Sequence, residues 1–345
     1  MKRLIVVALI VLAAVGAWAQ TDLAQFQAGF QAFAEDMAKT LSYNATVGNN
    51  WSDAYIGQFP HFGAGVAVGA TGVPVDSVEG LFTAMGITLP TEFQETGLPI
   101  PSAALAARIG GFVLPFDLGL KAMILPPEAT GWLSSAGVGA DYKLFGGNVR
   151  IGLVKEGTLF PDVSLGAGYN RLTGSMLKTL DIASQEYMFD VDQDGTDDRY
   201  LRVTSPDMEL SWTTDSFDFT LQVSKKILFI RPFAGAGYSM GTSTVNGGMQ
   251  AAMEYDQDGP GMDFGYVAID AATLTQLKTD LAAAGYDMSN VSVDGFMFAA
   301  EHADPVFRLY GGLSLELLFL ALDLQAQYVP ATKSFGANAM LRFQL

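Results

Sequence analysis

The stretch Asp190-Val191-Asp192-Gln193-Asp194-Gly195-Thr196-Asp197-Asp198 carries the densest chemistry in the sequence. Asp190, Asp192 and Asp194 alternate, a glycine follows, and Asp198 lies beyond it. Oxygen ligands at that spacing, with a glycine to permit a sharp turn, form the first half of a calcium loop. The second half is missing, because the twelfth position is Leu201 where a bidentate glutamate belongs. Asp256-Gln257-Asp258-Gly259 is a shorter echo. A solvated acidic loop explains the same residues more simply, so these four aspartates stand as a weak calcium candidate and no other cofactor is expected.

The only histidines are His61 and His302. Glu301-His302-Ala303-Asp304 sets a base beside carboxylates, the kind of group that activates a nucleophile. No signature marks that nucleophile, so a histidine at a loop rim is the simpler reading and the chain is not expected to be an enzyme. Cysteine is absent, which excludes disulfides, thiolate metal sites and a lipid-bearing cysteine.

Charged residues also recur at alternate positions of segments whose other face is apolar. These lumen-facing candidates are Lys121, Asp141, Lys143, Arg150, Asp218, Arg231, Arg308, Glu316, Asp323 and Arg342. Buried without partners they would cost several kcal/mol each, so they must pair with one another or face water. A solvated channel and a salt-bridged, closed interior meet that condition equally.

The elements that position them are strands. From Phe335 the apolar residues are Phe335, Ala337, Ala339, Leu341, Phe343 and Leu345, alternating with Gly336, Asn338, Met340, Arg342 and Gln344. Leu318, Leu320, Leu322, Leu324, Ala326 and Tyr328 oppose Asp323, Gln325 and Gln327 in the same way. Phe307, Leu309, Leu313, Leu315 and Leu317 alternate with Arg308, Tyr310, Ser314 and Glu316. Period two over runs of roughly 9 to 11 residues suits strands that cross a membrane at a tilt.

The same rule marks 61–71, 103–114, 117–125, 134–145, 148–155, 162–174, 217–224 and 228–241, with a weaker run at Tyr43 to Asn49. Gly146-Gly147 reads as a two-residue hairpin between two of these runs. The total predicts an all-β, antiparallel up-and-down transmembrane barrel of about 12 strands, within a range of roughly 10 to 14. Tyr200 to Val203 and Val291 to Phe298 are further strands or extensions beyond the membrane. With both termini at one end, the acidic connections Ser175 to Pro206 and Thr242 to Asp304 emerge together at the other, and Lys225-Lys226 forms a short turn.

Three helical patterns interrupt the strands. Leu23, Phe26, Phe30, Phe33, Met37 and Leu41 give residues 20–42 an apolar face, which plugs the lumen or lies across its periplasmic mouth. Asp76 to Met85, with Gly86 as its cap, and Asp270 to Ala284, ending at Gly285, are the others. Before them, Lys2 and Arg3, the apolar run Leu4 to Val15 and Ala17-Trp18-Ala19 have the form of a signal peptide, so residues 1–19 are expected to be removed. The barrel is expected over 43–345.

The formal net charge of -17 argues against nucleic-acid binding, which needs a basic face. Half the residues are hydrophobic, yet after the signal peptide no run is long enough for a spanning helix. Alternating exposure of apolar residues to lipid reconciles the two, and it implies a bacterial outer membrane with its lipid and barrel-assembly machinery as partners.

Asn50-Trp51, Pro60-His61-Phe62-Gly63, Leu98-Pro99-Ile100-Pro101, Leu114-Pro115-Phe116-Asp117 and Pro161-Asp162-Val163-Ser164-Leu165-Gly166-Ala167-Gly168-Tyr169 carry a resemblance. With the N-terminal helix, they make the chain resemble a family of outer-membrane barrel proteins of spirochaetes and Bacteroidetes that has no assigned activity. More distantly, a helical N-terminus ahead of a barrel is similar to the FadL-type transporters of hydrophobic compounds. Their Asn-Pro-Ala hatch has only Asn44-Ala45-Thr46 as its nearest counterpart. The charged lumen faces, and an apolar helix that needs somewhere to pack, point to a passive channel or transporter for small molecules, hydrophobic ones among them. The other reading is a structural or surface-interaction barrel with acidic loops and a sealed lumen.

Overall fold

The structure, a computed structural model, describes residues 23–55, 61–84, 97–111, 114–126, 131, 134, 138–179, 185–191, 199–256, 265–283, 285, 291–293 and 295–345. Residues 1–19, expected as a signal peptide, lie outside them, as do Gly86, Asp192, Asp194, Asp198 and Gln257 to Gly259. Three helices are described, α1 (Leu23–Asn44), α2 (Val75–Ala84) and α3 (Ala271–Ala283). The strands in chain order are β1 (Phe62–Val73), β2 (Leu98–Gly110), β3 (Phe116–Ile124), β4 (Val138–Val154), β5 (Asp162–Thr179), β6 (Gln185–Phe189) and β7 (Arg199–Ser224). They continue with β8 (Ile230–Asp256), β9 (Val267–Ala268), β10 (Val291–Ser292), β11 (Gly295–His302), β12 (Val306–Leu317), β13 (Leu320–Val329) and β14 (Ser334–Gln344).

Ten of these close a barrel, each antiparallel to the next, in the order β1-β2-β3-β4-β5-β7-β8-β12-β13-β14 and back to β1. The seam runs from Gly63 opposite Gln344 to Thr71 opposite Gly336. Closure removes every sheet edge over the span of the seam, which a hydrocarbon solvent requires because it offers backbone groups no partner. Among the described residues no helix is long and apolar enough to cross a membrane.

The predicted alternation places the side chains. Leu320, Leu322 and Leu324 of β13, Phe335 and Leu341 of β14, and Phe217, Phe219 and Leu221 of β7 point outward and are exposed. Aromatic residues bound this belt on both sides. Phe62, Phe319 and Phe343 cluster at one rim, with ring centroids 6.4 Å and 5.3 Å from Phe343. Tyr328 and Phe335, 4.7 Å apart, and Tyr169 and Phe217, 5.3 Å apart, lie at the other. Phe335 and Phe343 are separated by about 26 Å along β14 at roughly 3.3 Å per residue, a distance that suits two interfacial girdles.

The two ends of the barrel differ. Phe62, Leu345 and the connections 111–115, 155–161, 225–229 and 318–319 share the turn end. At the opposite, loop end β1, β3, β5, β8 and β13 finish and β2, β4, β7, β12 and β14 start. There β7 and β8, of 26 and 27 residues, rise far past their neighbours. β8 exchanges partners on the way, pairing with β12 up to Ser239 and with β11 from Ser243 onward. Tyr200 to Val203 extends β7, and Val291 to Phe298 falls in β10 and β11. α3 covers this superstructure with Leu277 and Leu281 buried. Asp270 caps its start: the Thr273 amide donates to the carboxylate at 2.8 Å and holds it below its ordinary pKa. Gly285, at φ 92°, closes its end.

Two strand expectations are corrected. Gly146-Gly147 is not a hairpin; β4 runs straight through it. A side chain at Gly146 would place its Cβ 2.7 Å from Lys121 Cε, so that glycine marks a close approach inside the wall. Tyr43 to Asn49 is not a strand either. The Thr46 amide donates to Tyr43 O at 3.2 Å and the Asn49 amide to Thr46 O at 2.9 Å, so these residues satisfy their own backbone in successive turns. Removing that run and merging the two halves of β4 takes the expected 12 strands to the ten observed.

Candidate functional site

The lumen holds residues 45–54, and α1 stands ahead of them at the loop end. α1 buries Phe30, Phe33, Met37 and Leu41 against β8, β11 and α2, and the Phe30 ring lies 5.5 Å from that of Phe298. At its end Asn44 Nδ2 donates to Thr71 Oγ1 at 2.8 Å and to Ile100 O at 3.0 Å, both at the loop end of the wall. Residues 45–54 then descend through the barrel. Gly48 turns the chain at φ 79°, where a Cβ would stand 3.2 Å from that of Ala104.

An irregular backbone in a narrow lumen exposes carbonyls that need donors. The wall supplies them. Lys121 Nζ donates to Ala45 O and, at 2.9 Å, to Val47 O. Arg108 donates to Asn49 O, Arg150 Nη1 to Asp53 O at 2.6 Å, and Ser164 Oγ to Ala54 O at 2.7 Å. Gln222 Nε2 reaches Trp51 O at 2.7 Å, Asp53 O at 3.2 Å and Ser52 O at 3.3 Å. The Ser52 and Ala54 amides donate to Asp323 Oδ2 at 3.2 Å and Ser224 Oγ at 3.0 Å. Around Gly48 and Asn49 the fit leaves no room for a water molecule.

The wall charges pair as well. Asp117, fully buried, accepts from Arg108 at 2.6 Å and from Arg150 at 2.7 Å. Arg308 grips Asp218 with two bonds of 2.5 Å and 2.8 Å while Ser239 bonds to both. Arg342 joins Asp323 at 2.8 Å to Asp53 at 2.5 Å, and Gln344 adds a bond to Asp53 at 2.6 Å. Arg231 pairs with Glu316 at 2.6 Å. Bidentate guanidinium pairs of this kind are the strong ones, and they suit a site from which water is excluded.

Trp51 sits between two of these cations, its ring centroid 5.2 Å from the guanidinium carbons of Arg108 and of Arg342. Gly63 makes the space: a Cβ there would meet Trp51 Cζ3 at 2.6 Å and Phe343 O at 2.9 Å. Gly63→Ala should therefore destabilise the protein by about 1–3 kcal/mol through overpacking. Gly147→Ala, whose methyl would meet the Leu120 tip at 3.3 Å and Gly119 O at an ordinary 3.6 Å, should be nearly neutral. Urea unfolding of both variants in detergent micelles distinguishes them, and equal midpoints would remove Trp51 from this account.

Of the lumen-facing candidates, Lys121, Arg150, Asp218, Arg231, Arg308, Glu316, Asp323 and Arg342 meet inside the barrel. Asp141 and Lys143 do not. They lie on the outer face beyond the belt, half exposed and paired with each other at 2.6 Å. The supposed hairpin at Gly146-Gly147 broke the alternation; carried back unbroken from inward Arg150 through Leu144, it turns both outward. Three residues of the network were not singled out in the sequence. Arg108 and Asp117 were legible from the phase of Leu105, Ile109 and Leu118, all of which point outward. Asp53 belongs to no periodic run and gave no signal.

His61 and His302 stand at opposite ends. His61 Nδ1 lies 2.5 Å from Leu345 O at the turn end, whereas His302 pairs with Ser243 at the loop end. Of the calcium candidates Asp190 is described, following β6, and among the described residues no cluster of metal-ligating side chains occurs.

Residues 69–329, three quarters of the chain and most of the barrel, match the profile of a family of unknown function, DUF6588. The chain belongs to the DUF6588 family. No curated protein matches the sequence. Among solved structures, the outer membrane protease OmpT of Escherichia coli is similar to this DUF6588 protein at 9% identity, with 83% of this chain and 97% of that chain covered and a TM-score of 0.37. The translocator domain of the autotransporter NalP of Neisseria meningitidis follows at 8% identity, covering 97% and 98%, with a TM-score of 0.30. A FadL homologue of Pseudomonas aeruginosa has 8% identity, coverage of 82% and 88%, and a TM-score of 0.22. No residue role passes to the DUF6588 protein across likenesses this low.

Proposed function

We propose that this DUF6588 protein is an outer-membrane barrel sealed by its own N-terminal segment, and that it works through its loop-end superstructure rather than by passive conduction. The belt bounded by aromatic girdles supports the membrane setting, since so continuous an apolar sheath has no place in water. The turn end faces the periplasm and the loop end faces outward, the arrangement that short turns and long loops take in such barrels. One observation carries the sealed lumen: the carbonyls of Ala45, Val47, Asn49 and Trp51 to Ala54 are each held by a wall side chain. The reading assigns no catalytic role to any residue.

Planar-bilayer recordings test it. Full-length protein should give no steady conductance. A variant lacking residues 23–54 should give steady conductance, because Arg108, Lys121, Arg150, Arg231, Arg308 and Arg342 would then line an open pore together with Asp117, Glu156, Asp162, Asp218, Glu316 and Asp323. Steady channels from the full-length protein would sink the sealed reading and restore that of a channel for small solutes.

A further inference from the structure

The direction in which the N-terminal segment runs has a topological result. Asn44 is held by Thr71 and Ile100 at the loop end, and Asp53 by Arg342 and Gln344 at the turn end. Residues 44–54 therefore cross the whole barrel from the loop end to the turn end, where β1 begins at Phe62. α1 precedes that crossing and does not fold back into the lumen.

Its path is fixed by what it touches. Tyr43 packs with Val306 and Val329, where β12 begins and β13 ends. Phe30, thirteen positions earlier, packs on Phe298, and its ring occupies the space a side chain at Gly247 would need. Gly247 pairs with Phe298 in the part of β8 that has already left β12 at Ser239. Toward its start, α1 thus climbs the tall wall of β8 and β11, away from the belt. Leu23 lies seven residues beyond Phe30, about 10 Å further along a helix that rises 1.5 Å per residue. Ala28 and Ala32 on this part of α1 are exposed.

We infer that the barrel carries its own N-terminal segment across the membrane, so that α1 is presented on the outer surface of the cell. This rests on the membrane reading above and adds the direction of threading. The lumen is then a passage used once, by the chain itself, and the wall cations that grip residues 45–54 hold the segment after it has passed. Leu345, bonded through its amide to Phe62 O at 3.0 Å, stays at the turn end, so α1 and Leu345 lie on opposite sides.

The absence of cysteine makes the test direct. Ala28→Cys and Ala32→Cys in the full-length protein are each exposed to a membrane-impermeant maleimide on intact cells. Ala331→Cys, in a loop-end turn, and Leu318→Cys, in a turn-end hairpin, are the controls. The expected result is labelling of residues 28, 32 and 331 on intact cells, with residue 318 labelled only after the outer membrane is permeabilised. Labelling of 331 but of neither 28 nor 32 before permeabilisation would overturn the threading while leaving the membrane orientation intact. Labelling of 318 but not 331 on intact cells would overturn both. Should all four sites react in a soluble, detergent-free fraction, the membrane reading itself would fail.

Discussion

Removal of Leu341 to Leu345 is expected to abolish membrane-integrated, heat-modifiable protein. These residues pair on one side with Gly63 to Val66 and on the other with Leu320 to Leu322. Without them both neighbours present unpaired backbone groups at the turn-end rim, each at a cost of several kcal/mol in hydrocarbon. The truncation also takes away Arg342 and Gln344, two of the groups that hold Asp53. Phe343→Asp is the milder companion. It keeps the backbone pairing and places a charge near the interface, where the cost is roughly 0–1 kcal/mol, so it should slow assembly more than it weakens the finished barrel. Electrophoretic heat-modifiability and carbonate extraction of membranes read both variants. A truncated chain that is soluble, folded and β-rich without detergent would replace the membrane barrel with a secreted β-protein.

The second large effect is expected at Asp117. Its replacement by alanine leaves Arg108 and Arg150 facing each other in a dry site with their common carboxylate gone. Breaking a buried pair by deleting one partner costs about 3–5 kcal/mol. Asp141→Ala is the matching control, because its bond to Lys143 has nearly the same length, 2.6 Å, but both side chains are 48% exposed. Exposed pairs are worth roughly 0–1 kcal/mol. Guanidinium unfolding in lipid vesicles compares the two. If both variants lose the same stability, the lumen around Asp117 is wet and the sealed reading is wrong.

Most of the barrel could be read from side-chain period alone, because in a membrane each outward position meets one uniform solvent and each inward position another. That contrast made β12, β13 and β14 readable residue by residue, including inward Arg308, Asp323 and Arg342. It failed where a local signal spoke against the period. Gly146-Gly147 has the composition of a turn, and only contacts with Lys121 on β3 and Asn170 on β5, distant in sequence, reveal why glycine is there. The alternation of Tyr43, Ala45 and Val47 likewise has the form of a strand, but the barrel closes β1 on β14 and leaves no edge in its wall to take it. The plug itself was half legible. The apolar stripe of α1 announced a helix that must be covered, whereas residues 45–54, Trp51 and Asp53 apart, are held mostly through their backbone, and backbone recognition leaves little trace in residue type.

Asp53 also sets an order in time. The partners of its carboxylate come from β8 and β14, and the last of them, Gln344, is the penultimate residue of the chain. The carboxylate is synthesised before any of them and can be fully coordinated only after all are in place. The residue made first among this group is therefore the one seated last, and a barrel that stalls before β14 docks keeps its stopper loose.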